Sequence, residues 1–376
     1  MILQQISLFD DIKSHLISAD NEKTLDKSNG GALSSIELFA GAGGLALGLA
    51  LGLEQAGFDN ILLNEKDKWA CQTLRNNRPD WRVLEAPIEN VDFNVYRDKI
   101  DLVTGGFPCQ AFSYAGSKGG FEDTRGTLFF EFARAVQEIR PKIMVGENVR
   151  GLLNHDKGRT LATIKQVIDD IGYALIEPKV LHAKYYQVPQ KRERLILVAI
   201  RKDLINDINF DWPEPEEYAY TLADGLKKGM LYDSDVPFSE GQKYPEKKKA
   251  VLDLVPPGGY WRDLPEEIAK SYMKKSYYLG GGKTGMARRL AWDAPSLTLT
   301  CSPAQNQTER CHPDETRPLT VREYARIQTF PDSWKFAGST SQQYKQIGNA
   351  VPVNLAKALG LSLFRALSNQ NILREG

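Results

Sequence analysis

Ser35-Ile-Glu-Leu-Phe-Ala-Gly-Ala-Gly-Gly-Leu45 begins as a short apolar strand of about five residues, breaks at Gly41, Gly43 and Gly44, and continues as an apolar stretch of helical character. Glycines at such a strand-to-helix turn let the backbone approach a ligand closely and aim the helix amino terminus at it. About 21 to 24 residues further on, Ile61-Leu-Leu-Asn-Glu65 is a second strand that ends in an acid, the usual placement for gripping ribose hydroxyls. Together the two stretches predict a nucleotide-type site on an α/β sheet. They suit a dinucleotide and S-adenosylmethionine equally.

Two further strand ends carry reactive groups. Asp101-Leu-Val-Thr-Gly-Gly-Phe-Pro-Cys-Gln-Ala-Phe-Ser113 reads as a buried strand that opens into a loop, where Pro108 stiffens the backbone and presents Cys109. Lys142-Ile-Met-Val-Gly-Glu-Asn-Val149 is another apolar run ending in polar residues, which brings Glu147 out at the same sheet edge. Ligands of open α/β sheets bind there. A thiol nucleophile beside a carboxylic acid can activate a pyrimidine. The thiolate adds to carbon 6 of cytosine, the acid bonds ring nitrogen 3, and carbon 5 becomes an enamine that attacks an electrophilic methyl group. Taken singly, Cys109 would be a small buried residue and Glu147 an exposed strand end.

These stretches, with others in a fixed order, resemble the DNA cytosine-5 methyltransferases of the prokaryotic restriction-modification type. Phe39-Ala-Gly41-Ala-Gly43-Gly44 resembles the first motif of that family, Glu65 its ribose acid, Pro108-Cys109-Gln110 its catalytic loop and Glu147-Asn148-Val149 its catalytic acid motif. Val188-Pro-Gln190-Lys-Arg192-Glu-Arg194 resembles the Gln-x-Arg-x-Arg motif. Arg317-Pro-Leu-Thr320-Val-Arg322-Glu323, with Arg326, Gln328 and Pro331, resembles the ninth, and Gln346-Ile-Gly348-Asn349-Ala-Val351-Pro352 the last. Three departures stand out. Lys66 follows the ribose acid, Ala86-Pro87-Ile88 lacks an aspartate, and Leu45-Ala-Leu-Gly48 is repeated as Leu49-Ala-Leu-Gly52. Four extra residues add about one helical turn, so the first helix should lengthen or bulge without turning its apolar face.

The resemblance implies a doubly wound, mostly parallel, Rossmann-like α/β sheet with a smaller target-recognition domain. It implies a loose extension over residues 1–33, a cofactor-binding and catalytic domain over 34–202, a recognition domain over 203–316 and a segment over 317–376 that completes the catalytic domain. Duplex DNA is the expected substrate, with one cytosine extruded from the stack. Cys109 would attack carbon 6, Glu147 would bond ring nitrogen 3, Arg194 would bond the carbonyl oxygen and steady Glu147, and Arg192 would support the loop or the adduct. S-adenosylmethionine, the co-substrate, would be cradled by Phe39, Gly41, Gly43, Gly44, Glu65, Ile88, Pro108, Asn349 and Val351. Gln110, Ser113, Lys274, Lys275, Lys283, Thr284 and Arg288 are the expected DNA contacts. A cognate restriction endonuclease would be a functional partner, and the chain would act as a monomer. The rival readings are a tRNA cytosine-5 methyltransferase, a nicotinamide-dependent oxidoreductase and a non-catalytic DNA-binding module.

Composition is compatible with this assignment. The 376 residues balance 48 Lys and Arg against 48 Asp and Glu, so only local charge can favour DNA. Lys184, Lys191, Arg192, Arg194, Arg201 and Lys202 form one basic stretch, Lys270 to Arg289 another that lacks acids, and acids gather at Asp211 to Glu217. Cys71, Cys109, Cys301 and Cys311 show no paired metal spacing, so no metal site is expected. Leu38 to Leu53 is too short and glycine-rich to span a bilayer, and Met1-Ile-Leu-Gln-Gln-Ile lacks a secretory pattern. A cytoplasmic protein is expected.

Overall fold

The computed structural model describes residues 17–18, 33–53, 58–108, 128–279 and 283–372. Eight strands form one sheet: β1 (Leu33–Leu38), β2 (Phe58–Glu65), β3 (Val83–Glu85), β4 (Leu102–Gly105), β5 (Ile143–Val149), β6 (Tyr173–Leu175), β7 (Lys179–His182) and β8 (Glu193–Arg201). Their order is β3-β2-β1-β4-β5-β8-β6, with β7 also on β8. Strands β1 to β5 pair in parallel, and β8 runs antiparallel to β5, β6 and β7. The chain therefore winds outward in both directions from β1 and β4. Between the carboxyl ends of those two strands lies the crevice where such sheets hold ligands.

Helices α1 (Gly44–Leu53), α2 (Lys68–Asn77), α3 (Leu128–Ile139) and α4 (Arg159–Asp170) follow or join the strands. Asp67 starts α2 by accepting the Trp69 and Ala70 N–H groups, which satisfies donors that a helix start leaves open. Beyond the sheet come α5 (Leu222–Leu226), α6 (Glu246–Leu252), α7 (Glu266–Met273), α8 (Val321–Ile327), α9 (Thr340–Asn349) and α10 (Val353–Ile372). A capping box is present at α8, where Thr320 and Glu323 cap one another's backbone.

One face of the sheet packs Ile36, Leu38, Val103 and Met144 against Phe129, Phe132 and Val136 of α3. The other packs Leu102, Val145, Ile196 and Val198 with Leu45 and Leu49 of α1 and Leu355, Leu359 and Leu363 of α10. Thus α10 packs on the same face of the sheet as α1. By length and composition Thr340–Ser368 would suffice to cross a bilayer, yet 67% of its apolar window is buried inside the protein. A third cluster joins Leu222, Leu226, Leu290 and Leu299 to Tyr324, Phe330 and Tyr344. A fourth is built solely from residues between Tyr244 and Cys311, including Trp261 and Met273.

Candidate active site

Sheet register builds the corner around Glu147. Leu38, Gly105 and Gly146 are partners across β1, β4 and β5, so Phe39, Gly106 and Glu147 occupy the next row. Gly105 and Gly146 have no side chains because Phe132 and Phe107 press on them; a Cβ would lie 2.8 and 3.0 Å from those rings. Glu147 Oε2 lies so close to Gly106 that a Cβ there would be only 2.9 Å away. Asn148 Nδ2 donates to the Phe107 carbonyl at 2.9 Å. The Glu147-Asn148-Val149 stretch thereby grips the backbone that runs through Phe107 to exposed Pro108. Cys109, Gln110 and Ser113 lie outside the described residues.

Arg194 pairs with Val149 across β8 and β5, while Ile196 pairs with Glu147. Side chains two apart share a face of a strand, so Arg194 stands diagonal to Glu147 and its Nε bonds Glu147 Oε1. Both are largely buried, with side chains 10% and 12% exposed. Such a pair costs desolvation and holds both groups in one geometry.

Arg192 bonds elsewhere. Its Nη1 donates to the Leu299 carbonyl at 3.2 Å and Nη2 to the Gly348 carbonyl at 3.0 Å, which ties two distant segments to β8. Burial, reinforced by the positive charge of Arg194 and opposed by Glu147, lowers its pKa to about 9, so the guanidinium stays charged near neutral pH. Gln190 acts alongside it: Oε1 accepts the Leu299 N–H at 2.9 Å and Nε2 donates to Gln328 Oε1 at 2.9 Å. Gly348 permits the same junction, since a Cβ would meet the Thr300 carbonyl at 2.2 Å. Asn349 follows, and its Oδ1 accepts the Cys301 thiol at 3.2 Å.

Across the crevice, Phe39, Asn64, Glu65, Lys66, Ala86, Ile88, Glu89 and Leu128 line a pocket. The turn that forms its wall is unusual, because Phe39 and Gly41 both adopt left-handed backbone, at φ +57° and +54°. That conformation is easy for glycine and uncommon for phenylalanine. Glu65 holds the turn closed. Its Oε2 accepts the Gly41 N–H at 2.8 Å and its Oε1 accepts those of Lys66 and Asp67, each at 2.8 Å. With both acceptor sites of Oε1 taken, Oε2 keeps one for a ligand hydroxyl.

The structure thus brings Phe39, Gly41, Glu65 and Ile88 together around this pocket and Glu147 to Arg194 beside it. Gly43 and Gly44 instead serve close packing: Cβ atoms there would lie 2.7 Å from Leu74 Cδ2 and 2.3 Å from the Val351 carbonyl. Asn64 and Leu128 join the lining without a motif that singles them out. Asn64 Nδ2 reaches the Leu84 and Ala86 carbonyls at 3.3 and 2.9 Å, and no local pattern signals such a brace. Leu128 arrives from the start of α3, far away in the chain. Among the described residues, no three His, Cys, Asp or Glu side chains gather as a metal group.

The basic stretch at Lys270 to Arg289 is less free than its composition suggests. Lys270 pairs with Glu266 and Glu267, Lys283 Nζ donates to the Ser276 carbonyl at 2.9 Å, and Arg288 donates to the carbonyls of Thr284 and Gly258 at 2.7 and 2.6 Å. Arg289 is buried and donates to the Val255, Leu252 and His312 carbonyls. Lys274, Lys275 and Thr284 are exposed. Tyr278 and Leu279 beside them are 76% and 63% exposed.

Comparison with known proteins agrees with the geometry. The family described as C-5 cytosine-specific DNA methylase matches residues 33–365. Type II methyltransferase M.Eco47II of Escherichia coli is 68% identical over 336 residues, covering 89% of this chain and 80% of its own. Type II methyltransferase M.PspPI of Psychrobacter sp. (strain TA137) is 64% identical over 335 residues, again 89% of this chain and 80% of its own. Among solved structures, a methyltransferase of Entamoeba histolytica, EhMeth, superposes with a TM-score of 0.61 at 15% identity, covering 90% of this chain and 99% of that one. At that identity the likeness speaks for the fold.

Proposed function

Because the chain belongs to the C-5 cytosine-specific DNA methylase family, we propose a division of labour among its residues for methyl transfer to DNA. The enzyme is an S-adenosylmethionine-dependent DNA (cytosine-5-)-methyltransferase of the restriction-modification type. The observation that carries the residue assignment is the corner where Glu147, held by Arg194, lies against Gly106 at the entry to Pro108 and Cys109.

Cys109 adds through its thiolate to carbon 6 of an extruded cytosine. Glu147 shares a proton with ring nitrogen 3, and Arg194 keeps Glu147 aimed and bonds the carbonyl oxygen. The electron pair gathered on carbon 5 then takes up a methyl group, the carbon 5 proton leaves to water, and the bond to Cys109 breaks. S-adenosylmethionine supplies the methyl group when bound. The lining suits the adenosine end of that molecule: Phe39, Ile88 and Leu128 offer apolar surface for the adenine ring, and Glu65 Oε2 keeps an acceptor site for a ribose hydroxyl. Arg192 supports the site by joining Leu299 and Gly348 to β8.

The enclosed apolar cluster between Tyr244 and Cys311 supports a separate recognition domain within residues 203–316. Lys274, Lys275, Lys283, Thr284 and Arg288 belong to it and face DNA in this reading. Gln110 and Ser113 of the catalytic loop are assigned to the same duplex. The enzyme works as a cytoplasmic monomer and protects its site from a cognate endonuclease. Tritium transfer from labelled S-adenosylmethionine tests the substrate class. Duplex DNA should accept label in wild type and not with Cys109→Ser, and tRNA should accept none. Transfer to tRNA in preference to DNA would overturn the assignment.

A further inference from the structure

Glu309 is fully buried in the cluster between Tyr244 and Cys311 and gathers three separate segments. Lys248 of α6 sends Nζ to Glu309 Oε1 at 2.8 Å, and the Tyr272 hydroxyl of α7 bonds the same oxygen. Glu309 Oε2 accepts the Ala287 N–H. Lys248 is anchored in turn by the Ala304 carbonyl at 2.7 Å and Asn306 Oδ1 at 2.9 Å.

Ala287 closes the turn that begins at Lys283, and both have left-handed backbone, at φ +45° and +42°. Non-glycine residues hold that conformation only when their surroundings impose it. Glu309 imposes it twice. Besides its side-chain bond to Ala287, its own N–H donates to the Gly285 carbonyl at 2.9 Å. Gly285 is pressed against the Gln307 carbonyl, 2.5 Å from where a Cβ would sit. The turn is thereby clamped from beneath while Thr284 at its crest stays exposed.

We infer that Glu309 is a positioning residue for sequence discrimination: it fixes the Lys283 to Arg288 turn in the shape that reads DNA, without touching DNA itself. This rests on the proposal that the turn meets the duplex. Base readout requires a few side chains to be held in one geometry, whereas nonspecific phosphate contact tolerates slack. A loosened turn should therefore lose discrimination before it loses turnover.

The test compares Glu309→Gln with wild type on a duplex carrying the site mapped by bisulfite sequencing and on duplexes with one base pair changed. The ratio of kcat/KM between cognate and altered sites should fall about tenfold, with kcat on the cognate duplex and affinity for S-adenosylmethionine within about twofold of wild type. Lys283→Ala with Thr284→Ala is run in parallel. If that pair relaxes discrimination and Glu309→Gln does not, the inference is overturned while the DNA-facing turn stands. If neither does, the DNA-facing assignment fails and takes the inference with it. Should Glu309→Gln not fold, Tyr272→Phe loosens the same carboxylate by one donor and is expected to lower the ratio about threefold; an unchanged ratio overturns the inference.

Discussion

Glu147 and Arg194 show how a sheet turns sequence spacing into chemistry. The residues lie far apart in the chain, yet register on β5 and β8 places them diagonally on one face. Replacing Glu147 by Gln keeps a hydrogen-bonding side chain but removes the shared proton. The turnover number should fall roughly a hundredfold or more, while calorimetric affinity for S-adenosylmethionine stays near wild type. Near-normal turnover would remove Glu147 from the reaction. Glu37 makes a different prediction. It is buried on β1 opposite Thr104 of β4, and Glu37 Oε2 and Thr104 Oγ1 find no hydrogen-bond partner among the described residues. Burial, with Glu65 adding repulsion, holds its pKa well above the ordinary 4.5. The folded chain thus keeps a proton that the unfolded chain gives up, so stability is fullest below about pH 4.5 and declines as pH rises toward the folded value. Glu37→Gln removes that loss. In denaturant titrations its advantage over wild type should widen from pH 5 to pH 8, and a constant difference would contradict the assignment. The placement of Glu147 and Glu65 at strand ends was legible because motif spacing carries them. The lining from Asn64 and Leu128 and the clamp at Glu309 were not, since each depends on contacts between segments remote in sequence.

The first helix shows glycine used for close packing at a spacing of one turn. Helix α1 runs from Gly44 to Leu53. Gly44 meets the Val351 carbonyl, and Gly48, one turn later, lies where a Cβ would be 2.4 Å from both the Ala356 Cβ and the Val353 carbonyl. The four-residue period keeps glycine on the face that touches α10, so two helices cross at backbone distance. Gly48→Ala should overpack this crossing and cost about 1–3 kcal/mol, read as a lower denaturation midpoint. Gly229→Ala, where no atom would lie within 4 Å of the new Cβ, should change it little. Equal effects would sink the packing account. The sequence pattern foretold a strand, a glycine turn and a helix here. Which glycines face ligand and which face another helix depends on where α10 returns, and that is invisible locally.

At the scale of the whole molecule, winding outward from β1 and β4 brings the glycine turn after β1 and the Glu147–Arg194 corner to one sheet edge, while a separate apolar cluster gathers residues between Tyr244 and Cys311. Alternation of apolar runs and helical stretches made the sheet readable, since each strand is buried and each crossover amphipathic. The irregular segment from about 203 resisted the same reading because glycine, proline and aromatic residues there form short helices and turns with no period. Its exposed cations make a prediction of their own. Lys274→Ala and Lys275→Ala should each flatten the dependence of log binding constant on log salt concentration by about 0.9 if each meets one phosphate. An unchanged slope in fluorescence titrations would place the phosphate contacts elsewhere. The covalent step is the centre of the account, and a duplex in which 5-fluorocytosine replaces the target cytosine tests it most directly, because fluorine cannot leave carbon 5 as a proton does. With S-adenosylmethionine present, wild type should form a denaturation-resistant protein–DNA complex and Cys109→Ser none; equal trapping of both, or methylation of ordinary DNA without any trapping, would contradict attack by Cys109.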